Sequence, residues 1–250
     1  MNRASPREVL IAALARRIKG CRHVAVGNAS PIPAAAVLLA RAQSQGAMTV
    51  YVLGSRANNP YGDGARELFD SAGQGRLDAF FLGGGEIDGQ ANVNLVAVGE
   101  HDHPQTRFPG SFGSAYLYFT VPKVILFREE HSRRVLVPRV SFISAPGTSP
   151  PGVYRRGGPL ALVTGRCVFS FDRAHGRFAL ESVHPGETVG TVRAETGFDF
   201  DCPQTVPGTE APGAEELELI RGRIAREAAE TYPLFARQEW PDHDARAARR

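Results

Sequence analysis

Residues 83–94 read GGGEIDGQANVN and follow the apolar run LDAFFL, which is the densest chemical signal in the chain. Glu86 sits directly beside the glycines. A carboxylate at a strand end that is partly withdrawn from water is suited to proton transfer, whereas a solvated one is an ordinary loop acid. Asp88, Asn92 and Asn94 are of the types that hydrogen-bond a loop's own backbone and hold it still. Gly83, Gly84 and Gly85 each lose more backbone freedom on folding than any other residue. Such a triplet marks a close approach, either of backbone to backbone or of a ligand to backbone N–H groups that face a developing oxyanion. The residues alone leave both readings open.

Three further groups have chemical potential. The turn GSFGS places Gly110, Ser111, Phe112 and Gly113 together. Ser55 and Arg56 follow the run TVYVLG, and Arg56 is the type that grips a carboxylate through two parallel hydrogen bonds. In HDH (101–103), His101 and His103 share a face if the chain is extended, because side chains alternate there. No third ligand accompanies them, so no metal site is expected. His103 and Arg107 are assigned to an anionic substrate or to a partner surface. The nucleotide fingerprint fails, since residues 86–94 lack a helical pattern, and neither a phosphate-loop motif nor G-x-S-x-G occurs.

These residues need a scaffold, and the sequence describes one. With 250 residues, 42% hydrophobic and 22% charged, the chain can bury a sizeable core. The net charge of +3 owes part to the tail DHDARAARR, where no aromatic residues are interleaved, so nucleic acid is not expected. No apolar run approaches the roughly 18 residues of a membrane span. The apolar positions of PREVLIAALARRIKG fall at helical spacing, which predicts an amphipathic helix rather than a signal peptide. Three widely spaced cysteines predict free thiols in a reducing cytoplasm.

Next, RHVAVGNASPIPAAAVLLARAQSQG reads as strand, turn and helix, with Ser30 as cap and Pro31 opening the helix. The strand in MTVYVLGS is nearly all apolar and is expected to be buried on both faces, as parallel strands are. A helix from about 65 to 71, strands in LDAFFL and VNLVAVG, and two more strands in VPKVILFRE and RVSFIS follow. The alternation predicts an α/β fold with an open, largely parallel sheet flanked by helices. After a Pro/Gly-rich loop, residues of about 160–200 form a β-rich section with turns at Gly165 and His175–Gly176. A closing helix covers about 214–231. One domain spanning 1–250 is expected.

Taken together, GGGEIDGQANVN, the following GEHDHPQTRFPGSFGSA (99–115) and VHPGETVGTVRAETGFDF (183–200) resemble the β-subunit of the family I CoA-transferases, most nearly the glutaconate CoA-transferase type. The resemblance runs in order over roughly residues 10–230. It implies the CoA-transferase sheet, an acyl-CoA thioester as substrate, and coenzyme A present only as part of that substrate. It also implies an α-subunit partner, in a heterodimer or an α2β2 heterotetramer, and a cytoplasmic complex. It places Gly83–Asn94 against the active site and makes Gly110 and Gly113 candidates for lining the thioester pocket.

Transferases of this family carry a nucleophilic glutamate just after the second strand. Here that place is Leu53, and no acid occurs from Met48 to Gly62. Leucine cannot perform covalent catalysis. Phe112 also stands where the family has glycine, and it either reshapes the pocket or simply fills space. Family offshoots without the glutamate hydrolyse a C–C bond in ring opening, or decarboxylate an acyl-CoA. That chemistry needs acid/base groups and oriented donors. Such an enzyme, with Glu86 as its acid/base residue, is the expectation. The alternatives are true transfer with a relocated nucleophile and a non-catalytic structural subunit.

Overall fold

The computed structural model describes residues 3–100 and 102–241. His101, and with it the HDH pair, lies outside the described residues, as do residues 242–250 of the basic tail. Seven strands form a mixed sheet that ends at the second strand on one side and at the last strand on the other, flanked by helices. The expected fold class is therefore observed. The chain divides into two compact units, residues 1–71, 76–79 and 210–250 in one and residues 72–75 and 80–209 in the other.

In the first unit, helix α1 (Pro6–Arg17) starts at a capping box in which Ser5 and Glu8 satisfy each other's backbone. It is not amphipathic. Every residue from Glu8 to Ala15 is buried, because α1 packs on helix α2 (Pro31–Gln43) and its one acid, Glu8, is paired with Arg221 at 2.6 and 2.7 Å. Strand β1 (His23–Val26) runs parallel to β2 (Thr49–Val52), with His23 opposite Thr49 and Val26 opposite Val52. As the terminal strand, β2 is not buried on both faces: Thr49 is exposed and Tyr51 half-buried, stacked on Tyr61. Pro31 does open α2, but the Ser30 hydroxyl turns away from capping to donate to the Asn28 carbonyl.

Helix α3 (Ala65–Gly73) begins in this unit, and the strand β3 (Ala79–Leu82) leads into the second. There, β4 (Glu86–Ile87) and β5 (Val93–Asn94) form a two-residue ladder, and β6 (Ala97–Gly99) pairs with β7 (Pro104–Arg107). VNLVAVG is thus two short strands in two small sheets rather than one strand of the main sheet. Asn94 divides them by turning its amide to its own backbone, accepting from Val96 N at 3.0 Å and donating to Ala97 O at 2.6 Å.

Helix α4 (Ser114–Thr120) precedes β8 (Lys123–Arg128), which runs parallel to β9 (Pro159–Thr164). Antiparallel β10 (Cys167–Asp172) and β11 (Arg177–Val183) complete the β-rich section, and helix α5 (Val189–Glu195) follows. Its core is aromatic: Phe169 meets Phe178, Phe198 and Phe200 at centroid distances of 5.9, 6.2 and 5.0 Å. RVSFIS is not a strand. Residues 139–144 form a bend whose Phe142 and Ile143 are both exposed, so the alternation that a half-buried strand requires is broken.

The closing helix belongs to the first unit and is interrupted. Helix α6 (Ala214–Leu219) passes through a π-helical turn, Ile220–Ile224, into α7 (Ala225–Thr231), and α8 (Pro233–Glu239) follows. No helix among the described residues is long and apolar enough to cross a membrane.

Candidate active site

The loop after β3 is closed by its own side chains. The Asp88 carboxylate accepts from Gln90 N at 3.1 Å, from Asn92 N at 3.0 Å and from the Asn92 amide at 3.1 Å. Asn92 in turn accepts from Gly147 N at 3.1 Å. Residues 132–147 brace the outside: Ile87 N donates to Val135 O at 2.8 Å, and Val93 N to Ala145 O at 2.9 Å. The Tyr118 hydroxyl donates to Ala91 O at 2.9 Å, and burial raises its ionisation well above the usual phenol value.

Glu86 is 5% exposed, so it is not a solvated loop acid. One carboxylate oxygen accepts from the Asn94 amide at 2.7 Å and from Ser141 N at 2.8 Å, and the other accepts from the Ser141 hydroxyl at 3.1 Å. Three donors thus fix the buried carboxylate in place. Ser141 was not foreseen, because it lies in the segment expected to be a strand.

The glycine triplet is required by packing. None of the three occupies the left-handed region. A Cβ on Gly84 would lie 2.5 Å from Val93 Cγ1 and 3.1 Å from Glu86 O, and one on Gly85 would enter the Phe108 ring. Gly83 approaches Phe127 O, at 3.3 Å from its Cβ position. The Gly85 N–H is taken by Asn94 O at 2.9 Å. Of the triplet, only Gly83 is exposed.

The turn at 110–113 differs. Gly110, Phe112 and Gly113 all have positive φ (111°, 43° and 71°), a conformation that is strained for phenylalanine. Phe112 is 69% exposed, so it does not fill interior space. A Cβ on Gly110 would meet only open space. Ser111 O accepts from Ser114 N at 2.8 Å, and the buried Ser114 hydroxyl beside it has no hydrogen-bond partner among the described residues. His103 and Arg107 are exposed on the β6–β7 hairpin.

In the first unit, Leu53 N continues the β1–β2 ladder to Val26 O at 3.1 Å, and Leu53 itself is half-buried. Gly54 then takes φ 91°, where a Cβ would sit 3.0 Å from Asn28 Oδ1. Ser55, 6% exposed, donates its hydroxyl to Glu230 at 2.6 Å and accepts from Asn58 N at 2.9 Å. The Arg56 N–H donates to the other Glu230 oxygen at 2.8 Å. Partial burial opposes the charge on Glu230. The Ser55 and Thr231 hydroxyls, the Arg56 amide and the Arg56 charge outweigh it and hold the carboxyl below its usual range. Sequence reasoning missed Glu230, which lies 175 residues from Ser55 with no local signal.

One apparent dyad carries no chemistry. His131 lies 3.8 Å from Cys167, but burial lowers the imidazole to about 4 and raises the thiol to about 12, so both stay neutral. All three cysteines are free. Among the described residues, no group of three or more metal-ligating side chains gathers.

The chain belongs to the coenzyme A transferase family, whose model matches residues 7–195. It is 29% identical over 256 residues to the B-type subunit of the 3-oxoadipate CoA-transferase of Pseudomonas knackmussii, covering 92% of this chain and 96% of that protein. It is also 29% identical over 160 residues to the cholesterol ring-cleaving hydrolase IpdB subunit of Rhodococcus jostii, covering 62% of this chain and 62% of that protein. Among solved structures, the decarboxylase AibA/AibB matches with a TM-score of 0.76 at 28% identity, over 87% of this chain and 93% of that one.

Proposed function

We propose that this chain is the B-type subunit of a two-subunit acyl-CoA enzyme that cleaves a C–C bond by hydrolysis or decarboxylation, without forming a glutamyl-CoA thioester. The observation that carries this reading is the turn after β2. Leu53 occupies the place that the resemblance gives to the nucleophile, and Ser55 is committed to Glu230 and Asn58. The relatives named as a hydrolase and a decarboxylase support the same direction.

In this reading Glu86 is the acid/base group. Gly83, Gly84 and Gly85 give its loop its shape, and Asp88, Asn92 and Asn94 hold that shape. Gly110, Ser111, Phe112 and Gly113 line the thioester pocket, where the strained, exposed Phe112 and the unpartnered Ser114 hydroxyl favour a ligand-facing role. His103 and Arg107 meet an anionic part of the substrate or the companion subunit. In the other unit, Ser55 sets the turn and Arg56 pairs with a carboxylate. The complex works in the cytoplasm with coenzyme A entering only as part of the substrate, and it needs no permanent cofactor or metal.

A second reading, true transfer with a relocated nucleophile, is favoured by one observation: Glu230 brings a carboxylate to the same turn.

The test uses the chain co-expressed with an A-type subunit and a panel of acyl-CoA thioesters read by mass spectrometry. Gain of water or loss of carbon dioxide with the thioester intact supports the first reading. Movement of CoA to a free acid, or a stoichiometric CoA adduct on this chain, overturns it. Glu86→Gln is expected to lower kcat by about 10²–10⁴-fold, the range of general acid–base catalysis. The loop should survive this change. A glutamine oxygen can accept from Asn94 and Ser141 N, while its amide donates to the Ser141 hydroxyl, which is free to rotate. Wild-type kcat in this variant would make Glu86 a brace alone.

A further inference from the structure

Two histidines of the second unit are buried in one hydrogen-bonded cluster. His131 follows β8, Thr164 ends β9, His184 follows β11 and Thr196 lies just past α5, and all four are buried. The Thr196 hydroxyl donates to Val192 O at 2.7 Å, so toward His131 Nε2, at 3.0 Å, it can only accept. The Nε2 nitrogen therefore carries the ring proton, and Nδ1 accepts from the Thr164 hydroxyl at 2.7 Å. His184 is held in the same tautomer. Its Nε2 lies 2.9 Å from Thr164 O, which cannot donate, and its Nδ1 accepts from the Thr209 hydroxyl at 2.9 Å. Thr164 thus joins both rings, one through its hydroxyl and the other through its carbonyl.

This cluster cannot take a further proton without giving up a bond. A proton on His131 Nδ1 would make that nitrogen a donor facing Thr164 Oγ1, which already accepts from the amides of Arg166 and Cys167, each at 3.3 Å. A hydroxyl oxygen has two acceptor sites, so one of three donors would be stranded away from water. The charged and titratable groups around the ring are committed elsewhere. Arg166 is paired with Glu187 at 2.7 Å, Cys167 Sγ lies 3.8 Å from Nδ1 as a neutral thiol, and Glu130, next in the chain, is bound by Ser132 and Arg134. Burial, together with the Arg166 and His184 charges, outweighs the Val192 carbonyl and Glu187 and lowers the His131 ring to about 4. Burial lowers His184 in the same sense.

The cluster reaches Glu86 through the backbone. Gly197, beside Thr196, donates to Leu136 O at 2.7 Å, and Val135 N and Leu136 N both donate to the carbonyl of Ser132, beside His131. The segment so fixed clamps Ile87, which donates to Val135 O at 2.8 Å and accepts from Val137 N at 3.0 Å. Ile87 is the neighbour of Glu86. We propose that His131, Thr164, Thr196 and His184 form a proton-sensitive latch: the neutral cluster holds residues 132–137 on the loop after β3, and uptake of a proton from solvent at His131 Nδ1 parts the cluster and frees that loop. The latch does not depend on which reaction the loop serves.

A ring kept neutral by the fold takes up its proton when the fold opens locally. Its contribution is complete above the ordinary histidine value of about 6.5 and is lost as pH falls from there toward about 4. Over that window the opening equilibrium should rise by up to about tenfold per pH unit for each ring that gains a proton. The experiment follows hydrogen exchange at the Ile87 amide, corrected for the intrinsic rate, in the full chain bound to its companion subunit. Opening at Ile87 should steepen below about pH 6.5, while the Thr49 amide, bonded to Arg22 O in the other unit, should show no such change. His131→Gln supplies an amide that can accept from Thr164 and donate to Thr196 but cannot titrate, so its slope should fall by about one proton. Thr164→Val removes the donor at Nδ1 and should shift the onset toward neutral pH. A pH-independent opening at Ile87 in the wild type, a wild-type slope in His131→Gln, or an equal rise at Thr49 would overturn the proposal. Should His131→Gln fail to fold, Thr164→Val decides, and an unchanged onset there overturns the latch.

Discussion

The loop after β3 and the turn after β2 are both glycine-containing exits from sheet strands, but they are fixed by different means. The first is closed largely from within, as Asp88 reaches Asn92 and Asn94 reaches Ala97, four and three residues away, and residues 132–147 brace it. Glycine serves it by omitting a side chain where Val93 and Phe108 pack. The second closes on itself through Asn58 and is further fastened by a carboxylate 175 residues along the chain, and glycine serves it through the positive φ of Gly54. A turn that leans on an exposed carboxylate, beside its own bonds between Val52, Ser55 and Asn58, can be loosened in part by changing that carboxylate.

The sharpest test of this contrast is Gly84→Val. Its branched side chain would collide with Val93 and with Glu86 O in a site that cannot yield, because the loop is braced by residues 132–147. Overpacking of this kind costs about 1–3 kcal/mol or more. A fall in Tm of roughly 2–4 °C per kcal/mol is expected, together with weaker assembly. An unchanged melting curve would show that the loop is softer than its hydrogen bonds imply.

A smaller difference should separate Asn94→Ala from Ser55→Ala. Asn94 is fully buried, and its loss leaves Glu86 and two backbone N–H groups short of partners away from water, at about 1–3 kcal/mol. Glu230, which Ser55 would abandon, is exposed, so water replaces that bond, and the buried Asn58 N–H alone is left short of a partner, so the loss should be the smaller of the two. Denaturant unfolding of both variants measures the gap. Equal losses would break the comparison.

The smallest effect is on pH dependence. The folded-state pKa of Glu230 lies below its unfolded value. Its contribution is therefore complete above the unfolded pKa and is lost as pH falls through the folded one. Protection of the Arg56 amide against hydrogen exchange should persist through the ordinary glutamate range, near about 4.3, and fade only in more acid solution. Loss of protection already at about pH 5 would mean that some other group holds the turn.

The same contrast shows what could be read in advance. Strand-and-helix alternation and the three separated motifs were legible because they are local patterns. The alternating β9–β11 section was legible for the same reason. The exposed edge of β2 was not, since a run of apolar residues does not reveal which strand ends a sheet. RVSFIS had the composition of a strand, but its serines serve the loop instead: Ser141 binds Glu86, and Ser144 bonds Val93 O at 2.9 Å. The HPGETVG…TGFDF segment matched by type, while its physical role emerged only in three dimensions. Phe198 and Phe200 complete the aromatic core, and Gly197 lies against Leu136 O.

By itself, the sequence determined the α/β class, the family, and the absence of an acid between Met48 and Asp63, because each is written in contiguous residues. Only the tertiary structure decided that the Gly83–Gly85 triplet packs against its own loop, that Glu86 is buried among three donors, and that Glu230 returns a carboxylate to the turn after β2. Those outcomes depend on which distant segments meet. Hydrogen bonding and excluded volume act over a few ångströms of space, whatever the separation along the chain.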